Sequence, residues 1–196
     1  TLADTRALLP TTVFFLFANG YLPPMPNEWG TQFNIIQQLL AIPGGDLGLW
    51  VNYPILPWVP LVTLGMLFGH WLNTDREKAY QRALLIGIAF LLAFIITRPL
   101  GDFWNIRPLI TENWIDFLNV VKYPPSLTFI FMTMGINLLL LWGFSKLHKV
   151  LTPLTVFGKT PLFFYIVHLY LYAGFGIWFA PKGTSIAAMY PYWLLG

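Results

Sequence analysis

Residues 79–97 read AYQRALLIGIAFLLAFIIT, a run of nineteen residues in which Arg82 carries the only charge. As an α-helix this run is about 28 Å long, close to the thickness of the hydrocarbon core of a bilayer. Three further apolar runs, residues 49–72, 126–144 and 161–180, meet or approach the same length. Because lipid offers backbone polar groups no water to bond, such runs cross it as helices. The sequence therefore predicts an all-α, polytopic membrane bundle.

Two weaker segments raise the predicted number of spanning helices to five or six. Residues 8–22 are apolar but short and contain Pro10, and residues 190–195 have the composition of the first turns of another helix. The chain begins at Thr1 without a methionine and ends inside an apolar run, as a piece of a longer protein does. We expect residues 1–196 to be one membrane domain, an incomplete C-terminal portion with some functional residues missing.

The composition excludes several classes of protein. Hydrophobic residues make up 57% of the chain and charged residues 10%, whereas a soluble domain carries roughly 25% charged residues. The net charge of +3 is small and scattered, so we expect no nucleic-acid partner. Cysteine is absent, which excludes thiolate metal sites and cysteine nucleophiles, and we expect no metal. No Ser-His-Asp spacing, P-loop, GxGxxG or HExxH motif is present.

The two longer connections are predicted to lie at the membrane surface. Residues 23–48 hold apolar residues at helical spacing beside Asn34, a pattern typical of a short interfacial helix. Residues 98–125 mix charged residues with tryptophan and tyrosine, which indicates an interfacial excursion. Within it Arg98 and Asp102, four residues apart, are candidates for an ion pair.

Lysine and arginine in the connections predict the orientation. Seven of them fall in residues 1–7, 73–82 and 145–160, and four fall in the alternate connections. Because positive residues are enriched on the cytoplasmic side, the first set is predicted to be cytoplasmic.

His168 is the strongest candidate for chemistry. It lies about 10 Å along the predicted helix from Pro161, where an ionisable side chain is costly unless it faces protein or water. Tyr165 and Tyr172 share its helix face at spacings of three and four residues. An imidazole in such a position can accept and return a proton. The alternative is a histidine that bonds a neighbouring helix for packing.

Other residues have two interpretations each. Asn137, inside a predicted span, can bond another helix or a substrate, and the interhelical bond is the favoured role. Lys159 precedes a helix start, where free N–H groups and an ammonium bind phosphate, or it is a cytoplasmic anchor. Gly65 and Gly69 form a small-residue packing pair.

The stretch 122–126 predicts a rigid start to the next helix. Pro124 forces Tyr123 towards extended geometry, and Pro125 or Ser126 can open the helix. Held in this way, Lys122 and Tyr123 either line a pocket at the membrane surface or serve the architecture alone.

Three blocks of sequence resemble one known family. They read YPILPW at 53–58 with FG at 68–69, KYPPSL at 122–127 with MTMG at 132–135, and FGKTPLFFY at 157–165 with HLY at 168–170. In order and spacing they resemble the C-terminal half of bacterial membrane proteins related to heparan-alpha-glucosaminide N-acetyltransferase. The resemblance covers most of the chain from about residue 49 onwards.

The resemblance implies a transmembrane acyltransferase of the bacterial cytoplasmic membrane, surrounded by lipid and capable of forming a homo-oligomer. Such a protein transfers an acetyl group from cytosolic acetyl-CoA to an amino-sugar or other glycan acceptor on the opposite face. The histidine regarded as catalytic in that family lies in an N-terminal half that this chain does not contain. Here His168 and Tyr165 are expected to line the site together with Asn137, and Lys159, Lys122 and Tyr123 are expected to bind acetyl-CoA.

Two other functions fit the composition. A transporter or channel for a polar solute could use His168 and Asn137 to line a permeation route. Transporters frequently contain paired broken helices in two repeats, but only the run 49–72 is strongly broken by proline and no repeat is apparent. A structural scaffold would leave His168 unexplained.

Overall fold

The computed structural model describes residues 5–21, 33–45, 48–111, 113–147, 152, 155–180, 182–183 and 185. The described residues are 74% helical with almost no strand, which confirms the predicted all-α class. The helices are α1 Thr5–Ala18, α2 Ile35–Leu40, α3 Ile55–Thr74, α4 Arg76–Thr97, α5 Asp102–Asn105, α6 Trp114–Leu118, α7 Leu127–Lys146, α8 Thr155–Lys159 and α9 Pro161–Phe179. A turn of 3₁₀-helix, Arg98–Leu100, follows α4, and β1 Gly44–Gly45 pairs antiparallel with β2 Trp50–Val51.

Within the part of the chain that the structure describes, four helices are long and apolar enough to cross a membrane: α3, α4 with its 3₁₀ turn, α7 and α9. They match the four predicted spans, although α3 begins at Ile55 because residues 50–51 pair as a strand. The fifth predicted span is the shorter helix α1, and the sixth, residues 190–195, lies outside the described residues.

The chain folds as two compact units, residues 1–146 and residues 147–196. The first contains α1 to α7, and the second contains α8 and α9. The assignment of the whole chain to one membrane domain stays a prediction.

A single residue, Asp75, joins α3 to α4. Its carboxylate accepts the Lys78 backbone N–H at 3.0 Å and forms an ion pair with the Lys78 ammonium at 3.0 Å. The backbone hydrogen bond is the main reason that the pKa of Asp75 lies below its usual value. Asp75 therefore caps α4, and so short a connection makes the two helices antiparallel neighbours.

Gly87 on α4 and Gly135 on α7 allow the backbones of these two helices to approach closely. A Cβ added to Gly87 would lie 3.1 Å from the Gly135 carbonyl oxygen, and one added to Gly135 would lie 2.8 Å from the Leu91 side chain. Buried Phe94, Ile130 and Phe131 pack at one end of the bundle. The predicted pair Gly65 and Gly69 instead borders open space among the described residues.

Helices α1 and α3 are joined by a polar contact within the membrane region. Thr12 Oγ1 and Thr63 Oγ1 are hydrogen-bonded at 2.8 Å, and both residues are buried. Each hydroxyl also bonds a carbonyl of its own helix, Leu8 O for Thr12 and Val59 O for Thr63. Small hydroxyl residues at such a crossing satisfy their polar atoms without water.

The described residues of connections 19–54 and 98–126 lie at one end of the first unit, which we call the Tyr123 end. There the Asn19 side-chain amide donates to the Pro125 carbonyl at 2.9 Å, so α1 ends where α7 begins. The opposite end carries the α3–α4 turn and Lys146. Counting of positive residues predicts that this opposite end is cytoplasmic.

The predicted interfacial helix in residues 23–48 exists as α2. Asn34 caps it, and its side chain and that of Gln37 exchange hydrogen bonds with each other's backbone N–H at 3.0 and 2.9 Å. Its apolar side chains are exposed: Ile35, Ile36, Leu39 and Leu40. An exposed apolar face on so short a helix is typical of a segment lying at a membrane surface, where the sequence places it.

Candidate functional site

Arg98 organises the connection that covers the Tyr123 end. Its side chain is 1% exposed, and each of its five N–H groups donates a hydrogen bond. The acceptors, at 2.8–3.2 Å, are Asn105 Oδ1 and the carbonyl oxygens of Arg107, Asp116, Phe117 and Asn119. The expected ion pair with Asp102 stays a prediction, because the Asp102 side chain lies outside what the structure describes. Since no N–H remains for a ligand, the role of Arg98 is to hold the backbone of residues 105–119.

Asn105 and Asp116 complete this structure. Asn105 donates its amide to the Gly101 carbonyl at 2.7 Å and to the Arg98 carbonyl at 3.0 Å. Asp116 Oδ2 accepts the backbone N–H groups of Ile110 and Thr111 at 2.7 and 2.8 Å. These two bonds, Thr111's first, lower the pKa of Asp116, and the Arg107 and Arg98 charges lower it further. The carboxylate therefore stays ionised and supports the loop.

The start of α7 is built as rigidly as the sequence predicts. Pro124, Pro125 and Ser126 are buried, and the Tyr123–Pro124 peptide bond is cis. Ser126 Oγ accepts the Phe129 backbone N–H at 3.1 Å, which caps the helix. Tyr123 is thus fixed at the edge of a buried segment.

Tyr123 meets Tyr53, which lies 70 residues earlier in the chain. Their hydroxyl oxygens are 2.8 Å apart, and their rings pack edge to face at a centroid distance of 5.4 Å. Tyr53 is 55% exposed and Tyr123 is 42% exposed, so a solute can reach both phenols. The contact joins the first two sequence blocks, YPILPW and KYPPSL.

Lys122 and Trp58 extend this pair into a cluster of four residues, which we call the tyrosine cluster. The Lys122 ammonium lies 5.0 Å from the centroid of the Tyr123 ring, within range of a cation–π interaction. The Trp58 and Tyr53 rings lie 5.2 Å apart. Trp58 Nε1 is buried, and no described residue accepts its hydrogen bond. Because an unsatisfied buried N–H is costly, the oxygen of a ligand or of water is its expected acceptor.

The cluster changes the acidity of Tyr123. The hydrogen bond from Tyr53 is the largest cause of a pKa below the usual value of 10.0, followed by the hydrogen bond and the charge of Lys122. All three favour the phenolate. Tyr123 is therefore ionised at lower pH than an isolated tyrosine.

His168 lies on α9, on the helix face that it is predicted to share with Tyr165 and Tyr172. We call these three residues the polar stripe. Its ring lies 5.5 Å from that of Tyr165 and 6.1 Å from that of Tyr172, and it stacks on Phe164 at 6.0 Å. Its Nδ1 is 3.1 Å from the Phe164 carbonyl oxygen, one helical turn earlier. If Nδ1 donates to that carbonyl, Nε2 is left as the proton acceptor. The predicted stripe exists as a continuous set of contacts along one helix.

The two remaining predicted residues lie apart from the tyrosine cluster in the chain. Asn137 is exposed on α7, in the third turn from its start. Lys159 is the last residue of α8, exposed and immediately before the start of α9. Their assignments to the site stay predictions.

Sequence reasoning missed two residues that shape this end of the molecule. Tyr53 was noted as part of a block, but nothing in its position showed a partner 70 residues away. Arg98 was interpreted as a charge at the membrane interface. The available signal of its structural role was its position beside Pro99 at the end of a span. Comparison with protein-family models, with curated proteins and with solved structures found no match.

Proposed function

We propose that this chain is part of a transmembrane acyltransferase that moves an acetyl group from cytosolic acetyl-CoA to an amino-sugar or other glycan acceptor on the opposite face. The observation that supports this most is the 2.8 Å contact between Tyr53 and Tyr123. It brings together two of the three blocks on which the family resemblance rests. A bacterial cytoplasmic membrane is the proposed location.

The proposal gives the two lysines separate tasks. Lys122 precedes α7 and Lys159 follows it, so one spanning helix lies between them in the sequence. We assign Lys159, with the free N–H groups at the start of α9, to the phosphates of CoA. Lys122 and Tyr123 were expected to bind acetyl-CoA. We assign them instead to the acceptor, because they lie at the Tyr123 end, where the hydroxyls and aromatic faces of the cluster suit a sugar.

We assign the side chains around His168 to the path that the acetyl group takes from one face of the membrane to the other. An imidazole beside two phenols can relay a proton, and acyl transfer needs both a base and donors for the developing oxyanion. Tyr165 is the proposed donor on α9, and the role of Asn137 on α7 stays a prediction from the sequence. Four spanning helices and an ionisable group inside one of them agree with this assignment.

The test is acetylation by the full-length protein in detergent, with labelled acetyl-CoA and glucosamine as substrates. We expect labelled N-acetylglucosamine, and we expect His168→Ala to lower its rate of formation by about a hundredfold because a proton-transfer group is lost. His70→Ala is the matched control, since His70 is exposed at the end of α3 and should leave the rate unchanged.

Two outcomes would count against these assignments. An unchanged rate in His168→Ala would remove that residue from the site while leaving the activity. Uptake of unmodified glucosamine into proteoliposomes, with no acetylated product, would contradict the enzyme and favour a transporter.

A further inference from the structure

We propose that Tyr123 accepts the first proton of the acceptor's ammonium group, with Tyr53 and Lys122 as the residues that position its phenol and stabilise its phenolate. The inference rests on the proposed function and deepens it, because it names the atom that takes the proton and the class of acceptor, a primary amine. Tyr123 would be a catalytic residue, whereas Tyr53 and Lys122 would act through it.

The geometry around the phenol oxygen carries the inference. Tyr53 Oη is 2.8 Å from Tyr123 Oη, so one hydroxyl can donate to the other once Tyr123 is a phenolate. The Lys122 ammonium is held over the same ring at 5.0 Å. A hydrogen-bond donor and a positive charge on one phenol are the two groups that stabilise its anion.

Tyr123 is also held still while its hydroxyl remains accessible. The following residues Pro124, Pro125 and Ser126 are buried, and Asn19 bonds the Pro125 carbonyl at 2.9 Å. Tyr123 as a residue is 42% exposed. A fixed, accessible proton acceptor costs little reorganisation when the substrate arrives.

The ionisable groups that act on Tyr123 favour the same state. Tyr53 comes from the segment before α3, and Lys122 directly precedes Tyr123 in the chain. Both residues lower the pKa of Tyr123. Asp116, the described carboxylate of this connection, is occupied by Arg107 at 3.6 Å and by backbone N–H groups. The described surroundings of the cluster therefore favour a phenolate.

The reaction balances with acetyl-CoA as the acyl donor. The acceptor ammonium, R–NH₃⁺, gives one proton to the Tyr123 phenolate, and the free amine attacks the thioester carbonyl. The C–N bond forms, the C–S bond breaks, and the second amine proton goes to the departing CoA thiolate. The products are the amide and CoA thiol, and Tyr123 then releases its proton to water.

The experiment measures the pH dependence of kcat/KM for glucosamine acetylation by the full-length protein. Tyr123→Phe should lower kcat/KM by about a hundredfold. Tyr53→Phe and Lys122→Met should raise the pKa of Tyr123, so the rising limb of their kcat/KM profiles should move to higher pH. Lys122→Arg keeps the positive charge and should return the rising limb to its wild-type position. Tyr21→Phe, at the same end and 79% exposed, is the matched control and should leave the profile unchanged.

A second measurement reads the phenol without the reaction. In an ultraviolet difference titration, Tyr123→Phe should remove the phenolate absorbance that appears at the lowest pH, and Lys122→Met should move that absorbance to higher pH. If Tyr123→Phe keeps all of the phenolate absorbance that appears at the lowest pH, or leaves the pH profile of kcat/KM unchanged, the inference is overturned and the proposed function still stands. A wild-type protein that forms no acetylated amine would overturn the proposed function and this step with it.

Discussion

Replacement of Arg98 by Met is expected to destabilise the protein by about 4 kcal/mol or more. The guanidinium is 1% exposed and donates five hydrogen bonds, and methionine replaces none of them. Four carbonyls and the Asn105 amide oxygen would lose a charged donor, and each buried acceptor left unpaired costs about 1–3 kcal/mol. Losses of this size are exceptional for single substitutions.

Unfolding in detergent, followed by tryptophan fluorescence, measures this effect. Arg98→Lys keeps the charge but offers three donors without the planar fork, so it should recover only part of the stability. Arg76→Met, at the exposed start of α4, should stay within about 0.5 kcal/mol of the wild type. An Arg98→Met protein as stable as Arg76→Met would show that the buried hydrogen bonds are not formed.

Replacement of Gly135 by Leu should separate α4 from α7 and cost about 3 kcal/mol. The added Cβ alone would lie 2.8 Å from the Leu91 side chain and 3.2 Å from the Gly87 carbonyl oxygen. Leu91 can rotate, but the carbonyl belongs to the helix backbone and moves only with α4. Overpacking of this kind typically costs 1–3 kcal/mol, and here it falls on the central crossing.

Gly143→Leu provides the matched comparison, because it makes the same substitution on the same helix. No described atom lies within 4 Å of a Cβ at Gly143, so that variant should be as stable as the wild type or slightly more stable. Unfolding of both variants in detergent checks the difference. Equal stability of the two would contradict the close approach at Gly87 and Gly135.

The sequence predicted the spanning helices because the length and hydropathy of a segment are nearly sufficient to identify a helix that crosses lipid. The ends were predictable where a local signal exists, as at Asp75 before α4 and Pro161 at the start of α9. Residues 49–54 were wrongly included in the predicted span, since hydropathy does not distinguish a short apolar strand, here residues 50–51, from a helix start. The glycine crossing was assigned to Gly65 and Gly69 because a pair within one helix is visible in sequence, whereas Gly87 and Gly135 meet across two helices.

The sequence indicated several residues of the candidate site but not the contacts between them. Lys122 and Tyr123 were recognised from the proline-rich start of α7, and His168 from its cost inside a span. Their partners could not be predicted, because Tyr53 is brought to Tyr123 by the packing of the helix bundle. Likewise four of the five acceptors of Arg98 are backbone carbonyls, which carry no residue-specific signal.

In the proposed function an acetyl group passes from CoA on one face of the membrane to an amine on the other. The most direct test uses sealed proteoliposomes of the full-length protein, with glucosamine trapped inside and labelled acetyl-CoA added outside. We predict that labelled N-acetylglucosamine accumulates inside while intact acetyl-CoA stays outside. Product that forms only when donor and acceptor share one side of the membrane would contradict the claim.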